Sequence, residues 1–320
     1  MTALTVSPTT VPALNLDALT ARAVGLAENA RSANTRRAYR SDWDHFACWC
    51  AAQGLAALPA TPVTVGLYLA AHETTLSVAT LTRRLSAIAV AHRMTGFVMD
   101  TRHPAIGDVM RGLRNRHGSA QRHAEALTSP RLRQVLACLG HRLGDQRDRA
   151  LLLVGMAAAL RRSELVALDV ADITVQPEGL RLVIRRSKTD QGGEGAVLPV
   201  NHTGRPTCPA TAYSEWVAAS GITEGAVFRA VDRHGNLGTR LSGQAVALIV
   251  QRRARAAGLD APASYAGHSL RAGFATSAAQ AGMGEIKIAR QTRHASLGSL
   301  RRYVRDGALF SENLTAEIGL

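Results

Sequence analysis

The spacing of apolar residues in the first third of the chain is the sequence feature that most constrains its fold. Between residues 33 and 54, apolar side chains recur every three or four positions, at Tyr39, Trp43, Phe46 and Cys50. This period places them on one side of an α-helix. Similar patterns recur in three later segments, the last ending near residue 113. We therefore predict an all-helical domain over residues 31–114, preceded by a flexible leader over residues 1–30.

The remainder of the chain combines helical patterns with a β-hairpin. Helical patterns occupy residues 145–159, 210–219, 242–257 and 268–281. Residues 180–186 alternate apolar and basic side chains, and an apolar segment returns after a turn rich in glycine, which is typical of a hairpin. The predicted boundaries are a linker over 115–127, a second domain over 128–305 and a tail over 306–320.

The tail carries an apolar stripe of its own. Phe310, Leu314 and Ile318 lie four residues apart, which predicts a short terminal helix. The pattern alone leaves two partners open for this stripe. The helix packs on its own domain, or it docks on a neighbouring subunit.

Composition narrows the function classes. The chain of 320 residues carries a net charge of +14, which favours a polyanionic partner, although a GC-rich genome that inflates arginine is an alternative cause. No apolar run approaches the roughly 18 residues that a membrane span needs. The N-terminus lacks the pattern of a secretory signal. Four cysteines without zinc-site spacing are expected to be buried free thiols in a reducing cytoplasm: Cys48, Cys50, Cys138 and Cys208.

Basic residues recur on the polar faces of the N-terminal helices. A solvated surface would explain them, but we favour contacts with DNA phosphates for some of them. The candidates are Arg36, Arg37, Arg40, Arg83, Arg84, Arg93, Arg111 and Arg114.

A cluster of chemically active residue types lies near the C-terminus. His268 and Arg271 are three residues apart, and His294 precedes Tyr303 by nine residues. Tyrosine can attack a phosphodiester, arginine neutralises phosphate oxygens and histidine transfers protons. Tyr265 is the one rival nucleophile, and Tyr303 is preferred because it lies among Arg301, Arg302 and Arg305.

Two further candidates lie upstream. Arg161 is preferred to its neighbour Arg162 because Glu164 then follows at i+3 on the same helical face, although a surface ion pair would show the same spacing. Lys188 lies near the hairpin turn and is one of only two lysines among 38 basic residues. Lysine can protonate a departing oxygen, whereas arginine with a pKa above about 12 cannot. A solvated turn lysine is the alternative.

The ordered set Arg161, Lys188, His268-x-x-Arg271, His294 and Tyr303 resembles the tyrosine recombinases, the phage integrase family. The resemblance spans residues 30 to 305. It implies a mainly α fold with a small β-sheet, in which an N-terminal helical core-binding (SAM-like) domain and a mixed α/β catalytic domain form a C-shaped clamp on DNA.

The resemblance also implies a role for each residue. Tyr303 would attack the scissile phosphate and give a 3′-phosphotyrosyl link. Arg161 and Arg271 would clamp the phosphate oxygens, with His294 as a hydrogen-bond donor. Lys188 would be the general acid, His268 would assist proton transfer and Glu164 would support the site. No ATP, metal or other cofactor is expected.

The chain departs from the family at one position. The family commonly has glycine immediately before the second histidine, and this chain has Arg293. We expect that side chain to alter the local turn or to contact DNA, together with Arg301 and Arg302.

The expected function is site-specific recombination, by integration, excision or resolution of a mobile element. The alternatives are DNA relaxation like that of a type IB topoisomerase and DNA binding without catalysis. The expected partners are double-stranded DNA with a specific site, a homotetramer on two duplexes in which the tail docks in trans, and accessory proteins that the sequence does not identify. A cytoplasmic, nucleoid-associated location in a bacterium or phage is expected, without a membrane partner.

Overall fold

The computed structural model describes residues 15–29, 31–118, 124–185, 195–294 and 296–308, which form thirteen α-helices and five β-strands. The chain divides into two compact units, Met1–Arg122 and His123–Leu320. Among the described helices, none is long and apolar enough to cross a membrane.

The described residues of the first unit form helices and no strands. The helices are α1 (Leu16–Asn29), α2 (Ala33–Ala52), α3 (Pro62–Ala71), α4 (Val78–Met94) and α5 (Pro104–His117). Hydroxyl side chains begin three of them, because Ser32, Thr61 and Ser77 each accept a hydrogen bond from the backbone N–H three residues on. The predicted apolar stripes form one core, including Phe46 and Cys50 of α2 at 0% exposure.

A glycine sets the closest approach within this unit. A Cβ atom at Gly66 of α3 would lie 2.2 Å from the carbonyl oxygen of Ala105, at the start of α5. Only glycine lets the two backbones pack at this distance. Any larger residue would push α3 away from α5.

The second unit packs helices around a small antiparallel sheet. Its helices are α6 (Ser129–Ala137), α7 (Leu143–Ala157), α8 (Arg162–Ala167), α9 (Pro209–Ser220), α10 (Gly243–Ala256), α11 (Ser269–Gln280), α12 (Glu285–Thr292) and α13 (Leu297–Ala308). Its strands are β1 (Ile173–Gln176), β2 (Gly179–Ile184), β3 (Ala196–Asn201), β4 (Arg229–Val231) and β5 (Leu237–Arg240).

The sheet confirms and extends the predicted hairpin. β2 pairs with β3 in antiparallel register, with Leu182 opposite Leu198, and β1 adds a third strand on the other side of β2. Leu180, Leu182 and Ile184 face the core, as the alternating pattern requires. The sequence pattern did not single out β1, α12 or the separate β4–β5 pair.

Apolar contacts hold the C-terminal helices together. Ala275 and Ala279 of α11 pack with Ile288 of α12 and with Leu300 and Val304 of α13. Because α11 and α13 share this small core, residues at the start of α11 lie near the middle of α13. This packing brings the last predicted site residues together.

Three expectations need correction. The predicted leader contains α1, whose apolar side chains Leu16, Leu19 and Leu26 are exposed. Cys48 and Cys138 are exposed, although all four cysteines are free. Helix α5 extends to His117, into the segment predicted as a linker. The tail stripe of Phe310, Leu314 and Ile318 lies outside the described residues.

Candidate active site

The site begins where α8 starts. Arg161 is the residue that caps this helix, and its backbone N–H donates to Oε2 of Glu164 over 3.0 Å. Its Nη1 donates to Oε1 of the same carboxylate over 2.6 Å. The Glu164 side chain is 1% exposed, so this is a buried ion pair and not a surface pair. Arg162 is exposed, and its aliphatic stem packs on Gly243 and Gly267, which favours Arg161 as the site residue.

Arg271 lies beneath the site on α11. The residue is 1% exposed, and its Nη1 donates to the carbonyl oxygen of Ala159 over 2.8 Å. Burial, reinforced by the positive charge of Arg161, lowers the pKa of Arg271 to about 10. Its Nη2 is buried and has no hydrogen-bond partner in the described part of the chain.

His268 meets Tyr303 at the start of α11. The Nε2 atom of His268 and the hydroxyl oxygen of Tyr303 are 3.0 Å apart, within hydrogen-bond distance. The histidine is exposed, and the tyrosine is half-buried on α13. A phenol whose proton can pass to an adjacent imidazole is a nucleophile beside its base.

His294 lies on the other side of the tyrosine. Its Nδ1 is 2.6 Å from the Thr292 hydroxyl oxygen, and its ring centroid is 6.5 Å from that of Tyr303. Burial, together with the charges of Arg271 and Arg161, lowers the pKa of His294 to about 4. The imidazole is therefore neutral at pH 7.

Arg293 also faces this site. Its Nη2 donates to Oε2 of Glu164 over 2.5 Å, and its carbonyl oxygen accepts from Nη2 of Arg161 at 3.5 Å. The side chain is 14% exposed. Its backbone is left-handed, with φ of 53°, a conformation that costs a residue other than glycine about 1 to 2 kcal/mol.

Sequence reasoning gave Arg293 only a role in the local turn or in DNA contact, and did not single out Thr292. The sequence did carry a sign that Arg293 belongs to the site, because a bulky cation stands beside His294 at a position where the family commonly has glycine. No sequence pattern marked Thr292, since its contact with His294 depends on how α12 ends.

The remaining predicted residues either lie outside the described part of the chain or have other surroundings. Lys188 falls in the chain between β2 and β3, outside the described residues, as does the side chain of Arg302. Arg301 is exposed and pairs with Glu285 over 3.3 Å, and its effect on the phenolate of Tyr303 stays a prediction. Tyr265, the rival nucleophile, is 1% exposed inside the core.

The arginines predicted to contact DNA differ in exposure. Most are exposed in the first unit: Arg36, Arg37, Arg40, Arg83, Arg93, Arg111 and Arg114. Arg84 is the exception and is withdrawn from the predicted contacts. Its side chain is 11% exposed, and its Nη1 donates to the hydroxyl of Tyr68 over 2.8 Å. Arg83 is exposed but forms two hydrogen bonds to Asp42.

Two protein-family models match the chain, one in each of the two units. The model of the phage integrase family matches residues 125–308, and that of the phage integrase N-terminal SAM-like domain matches residues 25–94. The chain belongs to the phage integrase family, the tyrosine recombinases. The predicted fold class is confirmed, as is the predicted enzyme class, which breaks and rejoins DNA strands.

Individual relatives cover most of the chain. An integrase/recombinase XerD homolog from Selenomonas ruminantium is 36% identical over 311 residues, which are 93% of this chain and 89% of the relative. Tyrosine recombinase XerC from Pseudomonas entomophila is 32% identical over 230 residues, 70% of each. The crystal structure of a lambda integrase dimer bound to a COC′ core site has a TM-score of 0.60 at 16% identity, covering 91% of this chain and 77% of that one.

Proposed function

We propose that the chain recombines DNA at a specific site through a 3′-phosphotyrosyl intermediate, with Tyr303 as the nucleophile. The observation that carries this proposal is the 3.0 Å separation between the Tyr303 hydroxyl and Nε2 of His268. The half-buried guanidinium of Arg161 and the buried guanidinium of Arg271 belong to the same cluster, since both lower the pKa of His294.

The first step exchanges one phosphate ester for another. The Tyr303 oxygen bonds to phosphorus, the bond from phosphorus to the 5′ oxygen breaks and the phenolic proton passes to His268. Arg161 and Arg271 hold the non-bridging oxygens, and His294 contacts the same phosphate. Glu164 holds the guanidinium of Arg161 through the 2.6 Å hydrogen bond from Nη1, and it holds the backbone of Arg161 through the 3.0 Å hydrogen bond from the N–H group. The new ester conserves the energy of the broken bond, so the reverse reaction rejoins the strands.

The departing 5′ oxygen needs a proton. We assign Lys188 as its donor, because lysine loses a proton more readily than arginine does. Antiparallel pairing of β2 with β3 supports the assignment, since it makes the segment that contains Lys188 the connection of a hairpin.

Trapping on a nicked duplex tests the proposal. The nick lets the short 5′ fragment diffuse away after cleavage, so the covalent complex accumulates and migrates slowly on a denaturing gel. The substrate is a pool of nicked duplexes cut from the DNA that flanks the gene. We expect a complex with the wild-type chain and none with Tyr303→Phe, although the variant still shifts the same DNA on a native gel. Cleavage that persists in Tyr303→Phe would remove Tyr303 from the role.

The proposed assembly is a C-shaped clamp on duplex DNA and a homotetramer on two duplexes, with accessory proteins where the site requires them. We propose a cavity of about 600 Å³ in the second unit as the acceptor for the tail of a neighbouring protomer. Leu132, Leu136, Met156 and Phe274 line part of it. These four apolar side chains suit the stripe of Phe310, Leu314 and Ile318, while Arg133, Arg205 and Lys287 are among the polar residues of the same lining. We also propose a cytoplasmic, nucleoid-associated location.

A further inference from the structure

Two arginines in the site have hydrogen-bond donors without acceptors. Nε and Nη1 of Arg293 and Nη2 of Arg271 are buried and have no partner in the described part of the chain. A buried guanidinium N–H without an acceptor is costly, because the nitrogen loses water and gains nothing in return. Such groups are therefore expected where a ligand supplies the missing acceptor.

The three nitrogens belong to one cluster. Glu164 accepts from Arg161 and from Arg293, and the carbonyl oxygen of Arg293 accepts from Arg161. The charges of Arg161 and Arg293 both contribute to lowering the pKa of Arg271, as expected of close neighbours. The unsatisfied donors of Arg293 and Arg271 therefore belong to the same cluster as the guanidinium groups that contact the phosphate in the proposed function.

The charge of this cluster indicates which ligand it fits. Three guanidinium groups and one carboxylate leave a surplus of two positive charges, and His294 is neutral at pH 7 because its pKa is about 4. A phosphodiester carries one negative charge. The five-coordinate transition state formed by tyrosine attack carries two on its non-bridging oxygens. The cluster therefore complements the transition state better than the ground state.

We propose that Arg293 is a third catalytic arginine, which donates from Nε and Nη1 to a non-bridging oxygen of the scissile phosphate. This inference rests on the proposed function, because it adds a residue to the same site. Glu164 holds the guanidinium through Nη2, which leaves its other two nitrogens for the substrate. The contact strengthens as charge develops on the phosphate, so it accelerates cleavage more than it tightens DNA binding.

The backbone at this position supplies a variant that keeps the fold. Residue 293 has φ of 53°, a conformation that glycine adopts without strain, so Arg293→Gly removes the side chain and relaxes the turn. Arg293→Lys keeps a charge but cannot donate from a planar fork. Arg290→Gln is the matched control, since Arg290 is an exposed arginine on α12, the helix that ends just before Arg293.

The test measures the single-turnover rate of covalent complex formation at saturating protein, on the nicked duplexes that the wild-type chain cleaves. We expect Arg293→Gly to slow cleavage by about 100-fold or more, as loss of one preorganised donor does, with little change in DNA affinity. Arg293→Lys should fall between Arg293→Gly and wild type. Arg290→Gln should cleave at the wild-type rate.

A methylphosphonate substrate separates contact from positioning. Replacing one non-bridging oxygen with methyl removes one negative charge, so the difference between wild type and Arg293→Gly should shrink to less than about 10-fold. An equal loss on both substrates would overturn the contact with phosphate, since the effect of Arg293 would then not depend on the charge of the non-bridging oxygens. Wild-type cleavage together with full activity of Arg293→Gly would sink this inference alone. Failure of the wild-type chain to cleave any duplex would instead refute the proposed function, and this inference with it.

Discussion

Replacing Glu164 with glutamine is expected to destabilise the second unit by about 3 to 5 kcal/mol, the usual cost of removing one partner from a buried ion pair. The carboxylate is 1% exposed and accepts three hydrogen bonds. They come from the backbone N–H of Arg161 at 3.0 Å, Nη1 of Arg161 at 2.6 Å and Nη2 of Arg293 at 2.5 Å.

The magnitude follows from what the amide keeps and loses. Glutamine has one carbonyl oxygen, so it can still accept hydrogen bonds at only one of the two carboxylate positions. Its NH₂ group meets a donor at the other. At least one charge-assisted hydrogen bond is lost, each being worth about 1.5 to 3 kcal/mol. The guanidinium groups of Arg161, Arg271 and Arg293 also lose their shared counter-charge, which raises the total.

Urea unfolding is the assay, because urea is uncharged and does not screen the ion pairs. Trp216 is the only tryptophan of the second unit and is fully buried, so its fluorescence reports on that unit when Trp43 and Trp49 are replaced by phenylalanine. Glu285→Gln is the matched control. The Glu285 side chain is 35% exposed and pairs with Arg301 over 3.3 Å. Loss of this pair should lower the free energy of unfolding by less than about 1 kcal/mol. Equal effects of the two substitutions would refute the reasoning.

Three further predictions concern separate parts of the chain. Lys188→Ala should slow cleavage by about 100-fold or more, and a bridging 5′-sulfur, whose thiolate leaves without a proton, should restore the rate; failure of this rescue would argue against the general acid. The pKa of His294 falls from 6.5 in the unfolded chain to about 4, so the unfolded state binds more protons between these values and stability declines as the pH is lowered through them. His294→Gln should reduce the shift of the urea midpoint between pH 7 and pH 5, and an unchanged shift would contradict the assignment. Arg40→Gln should weaken DNA binding and lower its salt dependence by about one unit of slope, whereas Arg84→Gln should lower the melting temperature of the first unit; the reverse pattern in fluorescence-anisotropy titrations and thermal melts would disprove this division.

Much of the fold was predictable because local periodicity determines it. The stripe that contains Phe46 and Cys50 predicts α2 within two residues of its observed end at Ala52. The alternation at Leu180, Leu182 and Ile184 predicts β2, because a strand with one buried face needs that period. Helix α1 was missed although Leu16, Leu19 and Leu26 recur at helical spacing in the sequence, and these three side chains are exposed in the structure.

The site was predictable in its chemistry and less so in its geometry. The types and order of Arg161, His268, Arg271 and Tyr303 indicate phosphodiester attack before any coordinates are known. The pairing of Arg161 with Glu164 followed from their i+3 spacing and is present in the structure. The interior position of Arg84 was missed, because a helical pattern does not say which polar face meets Tyr68 of another helix.

The sequence by itself determined most of the helices and the hairpin, because each depends on residues close together in the chain, and it supplied the types and order of the candidate catalytic residues. Only the tertiary structure decided which arginine faces which partner. Glu164 and Arg293 are 129 residues apart in the chain, yet they form a hydrogen bond of 2.5 Å. That contact exists because α12 ends in a left-handed turn beside the start of α8. The packing of distant helices fixes the direction of a side chain, and no local pattern of residues carries that information.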